Sequence, residues 1–262
     1  MVDYHTHTSL CGHATGTVEE YIESALSRGL SEIGFSDHAP MPEEHREGFT
    51  MSAGDVEGYI SAIEEQKKRY EGKIAVRLGF EVDYPLLSSF EERYFSDPRI
   101  DYLIGSCHFI DGWPFDHPDY IDGYRGRDIN DIYSRYYSEM ESLAGSGLFN
   151  IAGHFDIIKK FGYRADRDFM PAVEKIARIM AANDVAAEIN TAGMAHPAAE
   201  VYPSDAILDV FFRCNVPVTL GSDAHAPERI ARLFTEAIEK IRRAGYRTIS
   251  GFLKRKRYDI PL

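Results

Sequence analysis

The sequence has few cysteines and no long apolar run. Its 262 residues contain three cysteines, Cys11, Cys107 and Cys214. Because they are odd in number and far apart, they do not make a disulfide framework, and small buried side chains are the ordinary use of such residues. No stretch approaches the roughly 20 apolar residues that cross a bilayer, and no apolar signal segment follows the first methionine. We therefore expect a cytoplasmic protein with no membrane partner.

Positive charge is also scarce. The chain has 29 Lys and Arg against 42 Asp and Glu, which gives a formal net charge of −13. Binding to a nucleic-acid backbone needs a basic surface, so a long nucleic acid is not an expected partner. A small anionic substrate remains compatible with this charge, because bound cations reverse the charge locally.

Short apolar and β-branched runs alternate with amphipathic stretches along the whole chain. The runs predict seven buried strands, at residues 2–5, 32–36, 74–80, 101–106, 149–153, 185–190 and 216–222. Between them lie helical patterns such as 17–29, which opens on a capping box of Thr17 and Glu20, and 227–245. This alternation predicts a parallel α/β sheet, closed into a slightly irregular barrel, and a single domain over residues 1–262.

Polar residues collect just after these predicted strands. Seven of the ten histidines lie there or in the loop after the first strand, together with three acids and one asparagine. The positions are His5, His7, His13, Asp37, His38, Glu81, His108, His154, Asn190, Asp223 and His225. Because active sites of α/β barrels are built at the carboxyl ends of the strands, these side chains are expected to meet. The irregular segment 108–127 is expected to form a functional loop over the same site.

The grouping of imidazoles and carboxylates predicts a metal centre. Residues two apart on a strand face the same side, so His5 and His7 are able to reach one ion. Mixed nitrogen and oxygen ligands suit Zn, Fe or Mn better than Ca or Mg. One ion takes about four or five ligands, whereas nine of the residues above are candidate ligands, all of them except Asp37 and Asn190. At least two divalent metals follow, and three if carboxylates or a hydroxide bridge them.

Several blocks of the sequence match a known family. They are "HTHTSLCGHA", "GFSDHAP", "GFEVDY", "GSCHFIDGWPFD", "GHFDIIKKFG" and "TLGSDAH", and the similarity runs from residue 3 to about residue 225. These blocks resemble the PHP (polymerase and histidinol phosphatase) superfamily, in particular its histidinol-phosphate phosphatase branch. The resemblance implies a distorted (β/α)7 TIM-like barrel with three metals at the C-terminal ends of the strands.

The resemblance also implies a ligand set and a reaction. One metal takes His5, His7, Glu81 and Asp223, a second takes Glu81, His108 and His154, and a third takes His13, His38 and His225. The implied activity is hydrolysis of L-histidinol phosphate to L-histidinol and phosphate, a step of histidine biosynthesis. A metal-bridging hydroxide is expected to attack phosphorus, with His38, Glu81 and Asp223 in the reacting centre. The chain contains no P-loop and no serine nucleophile elbow that indicates another route.

Other residues have less specific predictions. Asp37 is a candidate proton donor to the leaving group, a partner that fixes the tautomer of a ligand, or a helix N-cap. Lys160 and Arg164 are candidate phosphate-binding cations. Trp113 either packs against the substrate or holds its loop in place, and His196 lies just outside the metal motifs.

One position departs from the branch. After strand six the branch commonly reads Asn-Thr-Ser-Gly-Leu-Arg, with the arginine facing the substrate, whereas this chain reads "NTAGMAH" and has Ala195 in that place. His196, Arg164 or Lys160 are the candidates to supply the missing charge. Two other functions therefore stay open, a hydrolase for another small phosphoester or for nucleotide or oligonucleotide ends, and a metal-binding module without catalysis.

Overall fold

Seven parallel strands form a barrel in the computed structural model of the protein, which describes residues 1–46 and 48–262. The strands are β1 (Val2–Asp3), β2 (Glu32–Phe35), β3 (Ala75–Asp83), β4 (Tyr102–Ser106), β5 (Ile151–Ala152), β6 (Ala186–Asn190) and β7 (Val218–Gly221). Neighbours in the sheet are neighbours in the chain, and all pairs are parallel. All seven predicted strands are confirmed.

The sheet closes on itself between its first and last strands. The amide of Tyr4 donates to the carbonyl of Leu220 at 3.0 Å, and the chain after β1 pairs with the chain after β7 through a parallel bridge between Thr6 and Ala224. The predicted α/β barrel with seven strands is therefore the observed architecture, and the carboxyl ends of all its strands meet at one rim.

Helices alternate with the strands. They are α1 (Val18–Ser27), α2 (Glu43–Arg46), α3 (Val56–Arg69), α4 (Ile129–Gly145), α5 (Met170–Ala182), α6 (Asp205–Arg213) and α7 (Phe234–Ala244). The predicted capping box at α1 is present, because the amide of Glu20 donates to Thr17 Oγ1 at 3.2 Å and the amide of Thr17 donates to the Glu20 carboxylate at 2.7 Å. Among the described helices, none has the length and apolarity needed to span a bilayer.

A C-terminal hairpin covers the amino end of the barrel. Its strands, β8 (Thr248–Leu253) and β9 (Lys256–Pro261), pair antiparallel. The amide of Phe252 donates to the hydroxyl of Tyr4 at 3.1 Å, and the amide of Arg255 donates to the carbonyl of Asp101 just before β4. This end of the barrel is therefore closed, and the opposite rim is left for a site.

Tyr102 fills the barrel interior because glycines leave room for its ring. The hydroxyl of Tyr102 donates to the carbonyl of Tyr4 at 2.7 Å, and the ring is fully buried. A Cβ atom at Gly79 would lie 2.6 Å from Tyr102 Cζ, far inside van der Waals contact. Glu81 is two residues further along β3, so it faces the same interior and is presented at the rim.

The predicted helix at 227–245 is wrong at its start. Residues Pro227–Arg229 form a single 3-10 turn, and α7 begins only at Phe234. Ala231 and Leu233 have φ angles of 50° and 60°, which an α-helix does not accommodate. The amide of Ala231 donates instead to the buried Asp3 carboxylate at 2.9 Å, which holds this loop against the barrel. The end of the predicted helix is correct, since Gly245 caps α7 in the left-handed region.

Candidate metal centre

A cavity of about 410 Å³ opens at the carboxyl ends of the strands. The side chains of His13, His38, Glu81, His108, Asp223 and His225 line it. Segment 108–127 was predicted to be irregular, but it contains a short hairpin (Phe109–Ile110 with Trp113–Pro114) and a 3-10 helix (Pro118–Tyr124). It borders the same cavity through Asp116, His117 and Pro118, as predicted for a loop over a site. Its volume is in the range of small-molecule sites.

Glu81 lies at the centre of the histidine cluster. Its Oε2 atom is 3.1 Å from His5 Nε2 and 3.1 Å from His38 Nδ1, and its Oε1 atom is 2.9 Å from His154 Nε2. Ser106 Oγ donates to the same Oε1 atom at 2.6 Å. One buried carboxylate therefore faces imidazoles on both sides, with a different oxygen atom toward each side.

Two groups of candidate ligands share Glu81. In the first, Asp223 Oδ1 lies 3.2 Å from His7 Nε2 and 3.8 Å from His5 Nε2. In the second, His108 Nε2 lies 3.5 Å from Glu81 Oε1 and 3.1 Å from His154 Nε2. Ligand atoms this close are able to bind one ion in each group.

The remaining imidazoles form two overlapping groups around His225. One brings the ligand atoms of His7, His38 and His225 within 4.8 Å of one another, and the other does so for Cys11, His13 and His225. The rings of His13 and His225 stack with centroids 4.6 Å apart, whereas those of His13 and His38 are 5.6 Å apart. The structure thus brings His13, His38 and His225 together around one corner, with Cys11 beside them as a neighbour that the sequence analysis did not include.

Six imidazole nitrogens of this centre are buried without a hydrogen-bond partner in the described structure. They are His5 Nε2, His7 Nδ1, His7 Nε2, His38 Nδ1, His154 Nδ1 and His225 Nε2. Buried polar atoms left without partners are costly, and natural proteins rarely concentrate them. Divalent metal ions among these nitrogens and carboxylates would satisfy the nitrogens that face them, so the donor set fits a metal centre.

Two buried carboxylates orient the imidazoles. Glu188 Oε1 is 2.6 Å from His5 Nδ1, and Asp83 Oδ2 is 2.8 Å from His108 Nδ1. When Nδ1 donates to these acids, the Nε2 lone pair of each ring is directed into the centre. Neither acid was predicted from the sequence. The available signal was strand alternation, because Asp83 is two residues beyond Glu81 and Glu188 two residues before Asn190.

Backbone carbonyls hold two further rings in the same way. His13 Nδ1 is 3.0 Å from the carbonyl of Cys11, and His225 Nδ1 is 3.1 Å from the carbonyl of Asp223. When Nδ1 donates to the carbonyl, the Nε2 lone pair of each ring is available to bind a metal ion.

The carboxylates keep several imidazoles protonated in the metal-free protein. Burial lowers the pKa of His7, but the nearby carboxylates of Asp223 and Asp37 outweigh it and raise the pKa to about 9. Burial also lowers the pKa of His108, and the charges of Glu81 and Asp116 raise it to about 10. The pKa of His5 is likewise raised well above its usual value.

The imidazoles around His225 behave in the opposite way. Burial lowers the pKa of His225 to about 3, helped by the positive charge of His7. Burial also lowers the pKa of His38 well below its usual value and lowers that of His13. These rings are neutral at neutral pH and are available as ligands without losing a proton.

Asp37 lies behind the centre rather than in the cavity. Its Oδ2 atom accepts hydrogen bonds from the amide and the hydroxyl of Thr8, and its Oδ1 atom accepts one from the amide of His38 at 2.9 Å. Asp37 Oδ1 is also 3.5 Å from His7 Nδ1. Since Asp37 is fully buried and does not line the cavity, the prediction of a proton donor does not fit its position, whereas orientation of His7 does.

The four predicted substrate residues divide into two pairs. Lys160 and His196 line the cavity. Arg164 is exposed outside it and pairs with Glu200 at 3.0 Å. Trp113 lies outside the lining as well, where its indole nitrogen donates to the carbonyl of Tyr120 at 3.1 Å and holds the loop in place. The structure therefore places neither Arg164 nor Trp113 in the cavity lining, and their contact with the substrate stays a prediction.

Several lining residues were not found from the sequence. Ala195 lies in the lining, which agrees with the resemblance that places an arginine facing the substrate at this position. Asp116, Arg229 and Arg232 also line the cavity. The two arginines were missed because the segment after Pro227 was predicted to be helical, whereas it is an irregular loop at the rim.

Comparisons with known proteins agree with this geometry. The family model for the PHP domain matches residues 3–192. The chain is 39% identical over 251 residues to a "Probable histidinol-phosphatase" of Deinococcus radiodurans, a match that covers 95% of this chain and 96% of the relative. It is 28% identical to the "Histidinol-phosphatase" of Bacillus subtilis, covering 91% of this chain and 98% of that protein.

A solved structure has the same fold. It is histidinol phosphate phosphatase from Lactococcus lactis, complexed with Zn, L-histidinol and phosphate, and it aligns with a TM-score of 0.80 over 98% of both chains at 23% sequence identity. At this identity the likeness establishes the fold alone. With the family match over most of the chain and the relatives along nearly all of it, this chain belongs to the PHP domain family.

Proposed function

We propose that this protein is a metal-dependent phosphomonoesterase that hydrolyses L-histidinol phosphate to L-histidinol and phosphate. The observation that carries the proposal is the floor of the cavity, where buried imidazoles without hydrogen-bond partners surround Glu81 and Asp223. The named activity of the relatives in Deinococcus radiodurans and Bacillus subtilis supports the substrate. A single domain over residues 1–262 and a cytoplasmic location stay predictions.

The proposed metal content is three divalent ions, drawn from Zn, Fe and Mn. We assign His5, His7, Glu81 and Asp223 to the first, Glu81, His108 and His154 to the second, and His13, His38 and His225 to the third. Distances between ligand atoms and the nitrogen and oxygen donor types support the first two ions. For the third, His225 has a ligand atom within 4.8 Å of one in His38 and within 4.8 Å of one in His13, in two separate groups. The Zn in the Lactococcus lactis structure is consistent with it.

Metal ions held there would neutralise phosphoryl oxygens and lower the pKa of water so that a nucleophile forms at neutral pH. The chain's own residues prepare the site for them. Glu188 and Asp83 fix the tautomers of His5 and His108, and Ser106 holds the Glu81 carboxylate through Oε1. Because these contacts are buried, the ligand geometry exists before substrate arrives.

The cavity offers charges of both signs, which suits an amino-bearing phosphoester. Asp116 is close to Lys160, and although burial raises the pKa of Asp116, the charges of Lys160 and His108 hold it below its usual range. A carboxylate that stays ionised is able to receive the ammonium group of L-histidinol phosphate while the phosphate lies on the metals. A simple aryl phosphate has no group for Asp116.

The test is phosphate release from a panel of esters by the metal-loaded protein. We expect kcat/KM for L-histidinol phosphate to exceed that for p-nitrophenyl phosphate and for a nucleoside 5′-monophosphate. Two relatives named "Probable phosphatase" in Aliivibrio fischeri, 27% and 28% identical over 89% of this chain, make another small phosphoester the second candidate. Equal turnover of all esters would favour that candidate, and no turnover of any ester would favour a non-catalytic metal-binding module.

A further inference from the structure

Two arginines on the cavity rim have guanidinium groups without a partner among the described residues. Of the Lys and Arg side chains in the described structure, those of Lys160, Arg229 and Arg232 line the cavity. The ammonium group of Lys160 lies 3.1 Å from the Asp116 carboxylate, so its charge is compensated within the protein. Neither Arg229 nor Arg232 has an ion pair or a side-chain hydrogen bond with another described residue.

Two other residues predicted to supply positive charge, Arg164 and His196, do not supply it to the cavity. Arg164 lies outside the cavity and pairs with Glu200. His196 is in the lining, but burial lowers its pKa, and the positive charges of Lys160 and Arg229 lower it further. His196 is therefore neutral at neutral pH and does not supply a positive charge to the cavity.

Carboxylates neutralise several arginines elsewhere in the described structure, as Glu19 does for Arg69 and Glu32 for Arg77. No described carboxylate does so for Arg229 or Arg232, although both line a cavity. The planar fork of a guanidinium matches phosphate oxygens and forms charge-assisted hydrogen bonds with them. Two unpaired guanidiniums next to a site for a phosphoester therefore have an anion as their natural partner.

The loop that carries these arginines is fixed to the rest of the barrel. Ser24 Oγ donates to the carbonyl of Pro227 at 2.6 Å, and Arg28 Nη2 donates to the carbonyl of Glu228 at 2.7 Å. On the other side the amide of Ala231 donates to Asp3. The same segment follows Asp223 and His225 in the chain, so the arginines are held at the rim beside the proposed metal ligands.

We infer that Arg229 and Arg232 bind the phosphate group of the substrate at the rim and set the affinity of the site for phosphomonoesters. The inference rests on the proposed function, because it assumes a phosphate group in the cavity. In this chain, two arginines in the loop after β7 would then supply the positive charge that Ala195 does not.

The experiment compares Arg229→Gln and Arg232→Gln with Arg242→Gln, which removes an exposed arginine from α7 away from the cavity. Metal content is measured first and must equal that of the wild type. Binding of inorganic phosphate to each metal-loaded protein is then measured by calorimetry, and KM and kcat for L-histidinol phosphate are measured separately. We expect each rim variant to weaken phosphate binding and raise KM roughly tenfold, with little change in kcat.

The outcomes separate the inference from the proposed function. Unchanged phosphate affinity in both rim variants, or an equal loss in Arg242→Gln, would overturn the inference. If the wild type does not turn over L-histidinol phosphate but phosphate binding still weakens in the rim variants alone, the inference stands and the proposed substrate fails.

Discussion

Among the side chains of the centre, Glu81 has contacts on both sides of the cavity floor, whereas Asp37 contacts His7 from behind. We expect Glu81→Ala to remove support for two ions, and Asp37→Ala only to loosen His7. Loss of an orienting partner costs about 10- to 100-fold in activity or metal affinity, and Glu81→Ala should cost more. Elemental analysis and kcat/KM of both variants check this, and normal metal content in Glu81→Ala would show that the centre is misplaced.

Ala195 is in the cavity lining without a charge. Restoring an arginine there adds a charge-assisted contact that contributes on the order of 2–3 kcal/mol, or roughly 30- to 150-fold in kcat/KM, if it reaches the phosphate. We therefore expect Ala195→Arg to raise kcat/KM for L-histidinol phosphate. Measuring p-nitrophenyl phosphate in parallel shows whether the gain is specific. A loss for both esters would mean that the rim is already filled by Arg229 and Arg232.

The imidazoles differ in their charge before metal binds. Those of His5, His7 and His108 have pKa values well above neutral, at about 9 for His7 and about 10 for His108, so the metal-free protein holds them protonated at pH 7.5. Metal ligation needs the neutral ring, so loading releases these protons and affinity rises with pH up to those pKa values.

Calorimetric metal titrations in two buffers of different ionisation enthalpy measure the released protons. We expect about three per chain from these imidazoles. The matched control is His13→Asn, which should not lower the count, because burial lowers the pKa of His13 and its ring is already neutral. Metal uptake without proton release would contradict the assigned protonation.

The sequence pattern located the candidate ligands because most of them lie at or just after the end of a buried strand, and alternation along the strand decides which side chains enter the barrel. Glu188 and Asp83 follow the same rule, but a single acid within an apolar run gives no sign of its partner until the strands are assembled. Arg229 and Arg232 were missed for a different reason, since residues 227–245 have a helical pattern that a tertiary hydrogen bond from Ala231 to Asp3 overrides.

The strands themselves were predictable because parallel strands buried on both faces read as short apolar runs between helices. The hairpin of β8 and β9 was not predicted, because β9 is partly exposed and rich in charged residues. It becomes a strand only by pairing with β8 over the closed end of the barrel.

Packing inside β3 supplies a stability test. Gly79→Ala places a methyl group against the Tyr102 ring, where a Cβ atom would be 2.6 Å from Cζ, so we expect a loss of about 1–3 kcal/mol in the free energy of unfolding. Gly58→Ala is the control, since it is exposed in α3 with open space at the Cβ position and should stabilise by about 0.5–1 kcal/mol. Chemical denaturation measures the free energy of unfolding of both variants. Equal effects would show that the Tyr102 ring does not need the space left by Gly79.

For the protein as a whole, positive charge gathered at the cavity would allow an acidic protein to bind an anionic substrate. The formal charge of −13 opposes anions, but three divalent ions would bring it to −7, as −13 + 6, with the added charge confined to the cavity floor. Arg229 and Arg232 at the rim, which have no carboxylate partner in the described part of the chain, add to the same local field. An acidic barrel is thereby suited to a small phosphoester rather than to a long nucleic acid.

The most direct test of this account is a metal titration followed by turnover. The protein is stripped with a chelator, Zn or Mn is added back in steps, and metal content and kcat/KM for L-histidinol phosphate are measured at each step. We predict no activity in the metal-free protein and a rise that is complete only near three ions per chain, as the ligand groups allow. Full activity in the metal-free protein, or a plateau at one ion, would contradict the account.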